Sequence, residues 1–178
     1  MILSEDEDSP VERLQQVFAH ILATRMQDVP ILNRSLHVEA VGFRLWQGRW
    51  IGVLVTPWMI NLVLLPGPDL ALQVLRLDEK QNWEFPSGSY EFMGLNEAEL
   101  GTCHICPLIS PVDEFASHEQ AITVAQKIVT ELFAEEKTEH AHEHQLTDML
   151  EQTRLQGESL ANKPVSRRDF LRAPFVGR

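Results

Sequence analysis

Apolar positions along the first third of the chain change their spacing once, and the change marks a passage from helix to strand. Val11, Leu14, Val17, Phe18, Ile21 and Leu22 recur at steps of three and four residues, which stacks them on one helical face. Ser9-Pro10-Val11-Glu12 supplies the start: the serine caps, proline fits the first turn, and the glutamate reaches back to the cap amide. Asp28-Val29-Pro30 closes the run. From Leu36 the period falls to two, with Val41, Phe43 and Leu45 alternating with Ala40, Gly42 and Arg44. Gln47-Gly48 then supplies a hairpin turn before the returning strand, Trp50 to Thr56. Met59 to Leu65 predicts a third strand, stopped by Pro66-Gly67-Pro68, where two ring-locked φ angles forbid regular pairing. Ser89 to Leu95 and Gly101 to Ile109 predict a further strand pair. Ser117-His118-Glu119-Gln120 repeats the helix-start signature, and Ala121, Ile122, Ala125, Ile128, Val129, Leu132 and Phe133 form a second stripe. Beyond Phe133 the stripe thins through 135–140, is revived by Leu146, Met149 and Leu150, and ends at Gly157.

These elements predict a single α+β domain: an antiparallel sheet from about Leu36 to Ile109 with both amphipathic helices on one face. The expected boundaries are an acidic N-terminal tail at 1–8, the domain at 9–157, and a flexible basic C-terminal tail at 158–178.

Composition narrows the function. With 178 residues, 44% of them hydrophobic, the chain can bury a core without a metal or disulfide to staple it. Its 26 acidic residues outnumber 15 Lys and Arg, and a net charge of −11 repels phosphate backbones, which excludes a general nucleic-acid binder. The longest apolar stretch, Ile51 to Leu65, is shorter than a bilayer span and contains Pro57 and Asn61. Met1-Ile2-Leu3 runs into Glu5-Asp6-Glu7-Asp8, the reverse of an export signal, and two cysteines make no secreted disulfide framework. A soluble cytoplasmic protein without membrane insertion is expected. Residues 163–178 break the acidic trend, with five basic residues against one acid.

Signs of catalysis are missing. The chain has no Gly-x-Gly-x-x-Gly, Walker or Gly-x-Ser-x-Gly motif, and no triad can be argued from spacing alone, so no enzyme and no cofactor are expected. Cys103-His104-Ile105-Cys106 is a lone CxxC; on a strand its thiols point to opposite faces, and Pro107 with Ser110-Pro111 denies it the helix that redox pairs open. His140, His142 and His144 alternate through a run of acids, with His140 and His144 on one helical face, but Ala141 stands where a zinc protease needs glutamate. Small strand residues and a solvated acidic face explain the two motifs more simply. The alternative from another class is a metal-binding or thiol-redox accessory module using Cys103 and Cys106, or His140 and His144. What stands out instead is rigid apolar surface: Trp46, Trp50, Thr56-Pro57-Trp58-Met59 and Pro66-Gly67-Pro68-Asp69. Such surface recognises a protein partner at low entropic cost.

The spaced pattern Trp50-x-Gly52-x-x-Val55-Thr56-Pro57-Trp58-Met59, followed by Pro66-Gly67-Pro68-Asp69 and Phe85-Pro86-x-Gly88, resembles the HybE/HupJ family of [NiFe]-hydrogenase assembly chaperones. The resemblance implies a cytoplasmic accessory protein that binds the hydrogenase small-subunit precursor, aids its maturation or its assembly with the large subunit before twin-arginine export, and catalyses nothing. Carried onto this chain, the partner-binding positions are Trp50, Thr56, Pro57, Trp58, Met59, Pro66, Gly67 and Pro68, with Trp50, Trp58 and Met59 facing the client. Gly52, Pro86 and Gly88 complete the motif as framework. In the tail, Ser166-Arg167-Arg168-Asp169-Phe170-Leu171-Arg172 is similar to the twin-arginine consensus of the client's signal peptide. It stands at the wrong end of the chain to be a signal, and the similarity implies a mimic that occupies the chaperone's own groove until a precursor displaces it.

Overall fold

The computed structural model describes residues 9–134. The acidic segment 1–8, the continuation to Gly157, His140, His142 and His144, and the tail motif Ser166 to Arg172 lie outside the described residues.

Helix α1 (Pro10–Thr24) opens as its sequence dictates: Ser9 Oγ accepts the Val11 N–H, and the Glu12 carboxylate accepts the Ser9 N–H at 3.2 Å. Six strands follow, β1 (Glu39–Trp46), β2 (Arg49–Val55), β3 (Ile60–Leu65), β4 (Lys80–Phe85), β5 (Gly88–Glu97) and β6 (Gly101–Ile109), and helix α2 (His118–Leu132) closes the domain. At α2 the cap differs slightly from expectation: Ser117 Oγ accepts the Gln120 N–H, whereas the Gln120 side chain accepts from Ala116, one residue further back.

All pairings are antiparallel, in the order β1-β2-β3-β6-β5-β4. The β1–β2 turn places Gln47 and Gly48 at φ of 48° and 77°, the two consecutive positive values that match the twist of a two-residue hairpin. Strand β4 is the element that periodicity missed. Its residues Lys80, Asn82 and Glu84 are exposed and only Trp83 and Phe85 carry apolar weight, so it reads as a polar linker until its pairing with β5 is seen.

The expected single-domain sheet with two amphipathic helices is present, but the helices occupy opposite faces instead of sharing one. Leu14, Val17 and Phe18 of α1 pack with Leu54, Val63, Leu65 and Cys103, while Val124, Ala125, Val129 and Leu132 of α2 pack with Ile51, Val53, Leu62, Leu64 and Cys106. Strand alternation produces the division, because neighbouring residues on β2 and β3 point to opposite sides and nearly all are apolar.

The sheet also coils. Trp46 on β1 and Phe85 on β4 come from the two edge strands, yet their rings stack at 4.5 Å. Phe133, just past α2, meets both rings, and the Ser87 N–H donates to the Leu132 carbonyl, so the end of α2 holds the two edges together. The rest of this concave face is covered by the segment between β3 and β4, a strap whose Leu72 and Leu75 turn inward.

Two glycines mark close approaches. A Cβ on Gly52 would stand 2.4 Å from the Phe43 ring, and one on Gly67 would stand 1.6 Å from the Gly48 carbonyl oxygen. Gly52→Ala is expected to lower the unfolding free energy measured by urea titration by about 1–3 kcal/mol, the cost of overpacking, and Phe43→Ala in the same chain to recover part of it. Gly67→Ala should be as damaging and gain nothing from a side-chain truncation, because it meets backbone. Equal rescue of both by Phe43→Ala would contradict this packing.

Candidate partner-binding site

The eight partner-binding positions read from the sequence do not form one patch. Thr56, Pro57, Trp58 and Met59 connect β2 to β3 at one end of the sheet, and Trp50, Pro66, Gly67 and Pro68 lie at the other. Five residues lie between Trp50 and Thr56, so six strand steps of about 3.3 Å separate them by roughly 20 Å.

At the first end the motif serves the turn. Thr56 is fully buried; its N–H and its Oγ1 both donate to the Met59 carbonyl, and Oγ1 accepts the Met59 N–H at 3.1 Å. The buried Pro57 offers its carbonyl to the Asn33 N–H, and the Asn33 amide donates onward to the Val112 and Phe115 carbonyls, which ties three connections together. Trp58 is 7% exposed and stacks on Phe18 of α1. Only Met59 of the four reaches partly to solvent.

The second end is different. Trp50 is half-buried and sits across the ladder from Leu45 and Leu65, and Leu45 is 51% exposed. Pro66-Gly67-Pro68 turns the chain against the β1–β2 hairpin: Gly67 packs on the Gly48 carbonyl, its N–H donates to the Leu70 carbonyl, and the Leu70 side chain fills the space beside Gly48. Leu70 is 41% exposed, and further along the strap Val74 and Leu77 are more so. Among the described residues, the exposed large hydrophobics are these three, Leu45 and Ile31, so four of the five belong to β1 and the strap.

A buried histidine fixes the strap. His104 on β6 is fully buried, its Nδ1 accepts the Trp83 indole N–H at 3.2 Å, and its Nε2 faces the Gln73 carbonyl at 2.8 Å. The indole bond sets the tautomer, leaving Nε2 to donate to Gln73. Nothing in a lone histidine between two cysteines signals this role, because both partners are more than 20 residues away in sequence.

The CxxC does not assemble. Cys103 joins the α1-side core and Cys106 the α2-side core, both as free thiols, as period two requires. Burial pushes each thiol up from 9.0 to about 12, with the charges of Glu97 at Cys103 and Glu91 at Cys106 adding to it. A thiol that stays protonated is a poor nucleophile and a poor metal ligand. Both cysteines should resist a thiol reagent at pH 8 in the native protein and react fully in urea. Because the folded values are raised, their contribution to stability is complete below pH 9.0 and is lost as pH climbs toward 12. Rapid native labelling of either thiol would contradict the placement.

Among the described residues no helix is long and apolar enough to cross a membrane. Comparison with known proteins adds the family. The model of the family described as [NiFe]-hydrogenase assembly, chaperone, HybE matches residues 9–173. The chain is 39% identical over 129 residues to the probable rubredoxin HupJ of Rhodobacter capsulatus, covering 72% of this chain but only 46% of that protein. It is 33% identical over 153 residues to the hydrogenase expression/formation protein HupJ of Bradyrhizobium diazoefficiens, covering 86% of this chain and 81% of the relative. The solution structure of HybE from Escherichia coli superposes with a TM-score of 0.58 at 27% identity, over 75% of this chain and 85% of the other. Match and fold agree with the spaced Trp-Gly-Thr-Pro-Trp and Pro-Gly-Pro pattern, and the chain belongs to the HybE family of [NiFe]-hydrogenase assembly chaperones.

Proposed function

We propose that this protein acts by binding rather than by turnover, in the cytoplasm, holding a hydrogenase small-subunit precursor during maturation and before its export. The observation that carries the reading is the exposed apolar rim formed by Leu45, Trp50 and Leu70 around Pro66-Gly67-Pro68. It brings a family motif together with two of the five exposed large hydrophobics among the described residues. Burying each large side chain contributes about 1.5–3 kcal/mol before the costs of association are deducted. A few such contacts give the modest affinity of a chaperone that must release its client. In this reading Thr56 to Met59 hold the central turn in shape, and Trp50 with the Pro-Gly-Pro corner meets the client.

The twin-arginine-like tail fits as an internal competitor. Ser166 to Arg172 is basic where the body is acidic, and a tethered ligand needs little intrinsic affinity because its effective concentration is on the order of millimolar. A precursor carrying the same arginine pair and the same Phe-Leu step would displace it.

Calorimetric titration with the full precursor and with one lacking its signal peptide tests both ideas. Leu45→Ser with Leu70→Ser, both partly exposed, should weaken precursor binding by about tenfold or more, equivalent to about 1.4 kcal/mol, in a protein that circular dichroism shows to be folded at the titration temperature. Unchanged affinity would remove the rim from the reading. Deleting Ser166 to Arg178 should strengthen binding of the signal-bearing precursor alone; no change would dismiss the competitor. Binding that ignores the signal would place recognition on the folded part of the precursor.

A further inference from the structure

Three metal-ligating side chains that take no part in the apolar rim converge at the opposite end of the sheet. Glu39 opens β1 and His37 stands two residues before it, with its Nε2 close to the Glu39 carboxylate. His118 is the first residue of α2 and is brought against them by the packing of that helix along β1 and β2. His118 Nε2 lies 2.8 Å from Glu39 Oε2, and His37 Nε2 lies 3.5 Å from the same oxygen. The imidazoles stack with centroids 3.3 Å apart, and the three ligand atoms all lie within 4.8 Å of one another.

We propose that His37, Glu39 and His118 form a binding site for a divalent transition ion of the zinc class, independent of the client-binding reading. Zinc bonds of 2.0–2.2 Å at tetrahedral angles hold their donor atoms roughly 3.3–3.5 Å apart. The His37–Glu39 separation already matches that range, and the His118–Glu39 pair at 2.8 Å opens by about half an ångström to admit the ion. Two imidazole nitrogens and one carboxylate oxygen suit zinc and its neighbours better than calcium or magnesium, which prefer oxygen alone. The His37 and Glu39 side chains are 64% and 41% exposed, so the fourth position opens to water. Binding replaces two hydrogen bonds: the 2.8 Å contact of His118 Nε2 with Glu39 gives way to ligation of both atoms, and His118 Nδ1, which accepts the His37 N–H at 3.3 Å, takes the imidazole proton when Nε2 takes the ion. In return the ion clips the first turn of α2 to the start of the edge strand β1.

The test uses the full chain, washed with chelator and titrated with zinc chloride by calorimetry, with imidazole proton signals followed by NMR. Since His140, His142 and His144 could also take zinc, the reference protein carries His140→Ala, His142→Ala and His144→Ala. It is expected to bind one equivalent, to melt at a higher temperature with zinc, and to shift the His37 and His118 signals together. His37→Ala or Glu39→Gln in that background should weaken binding on the order of tenfold or more, at least the loss that outer-shell changes bring. His37 is exposed, so His37→Ala leaves the fold intact even if His118→Gln does not. No binding in the triple-alanine background, or equal binding after both His37→Ala and Glu39→Gln, would overturn the site.

Discussion

The hairpin of β2 and β3 has almost no solvent face, and the rest of the domain is arranged around that fact. From Ile51 to Leu65 nearly every side chain is buried, with Ile51, Gly52, Val53, Leu54 and Val55 answered by Ile60, Leu62, Val63, Leu64 and Leu65. A strand pair apolar on both sides needs a cover on each, which is why α1 takes one face and α2 with the strap takes the other. The same demand explains Thr56: with the hairpin sunk in the core, most of its turn is shut off from solvent, and one hydroxyl both donates to and accepts from Met59.

From that centre outward, the two ends of the hairpin do different work. The Thr56 end is closed inward by Asn33, Phe18 and the connections that meet there, so its tryptophan contributes packing. The Gly48 end is closed by backbone against backbone, Gly67 on Gly48, and the neighbouring Leu45 and Leu70 stay partly in water. The strap that begins at this corner is held by Leu72, Leu75 and the His104–Gln73 bond while Val74 and Leu77 face water.

Charge enters at the periphery. The pairs Arg25–Glu97 and Lys80–Glu91 are exposed and contribute little to stability, but they keep the acidic surface from being uniform. Inside, Thr56 at the turn and His104 under the strap are each hydrogen-bonded. The two cysteines flank this histidine without sharing its chemistry, each buried on its own side of the sheet.

Local pattern was enough for both helices, their starts, the first hairpin with its Gln47-Gly48 turn, and the divergence of Cys103 from Cys106, because period and cap chemistry are properties of neighbouring residues. The spaced motif was enough for the family, since its residues are read in order along the chain. Local pattern left β4 hidden, because Lys80 to Phe85 become a strand only when β5 supplies the ladder. It also left the helices on one face, although the unbroken apolar run from Ile51 to Leu65 already carried the opposite message of a strand pair buried on both sides. The division of the motif between two ends, the stacking of Trp46 on Phe85, the His104 clamp and the meeting of His37, Glu39 and His118 were decided by tertiary structure alone. Each joins residues far apart in sequence, and only the coil of the sheet and the direction of α2 determine which of them meet.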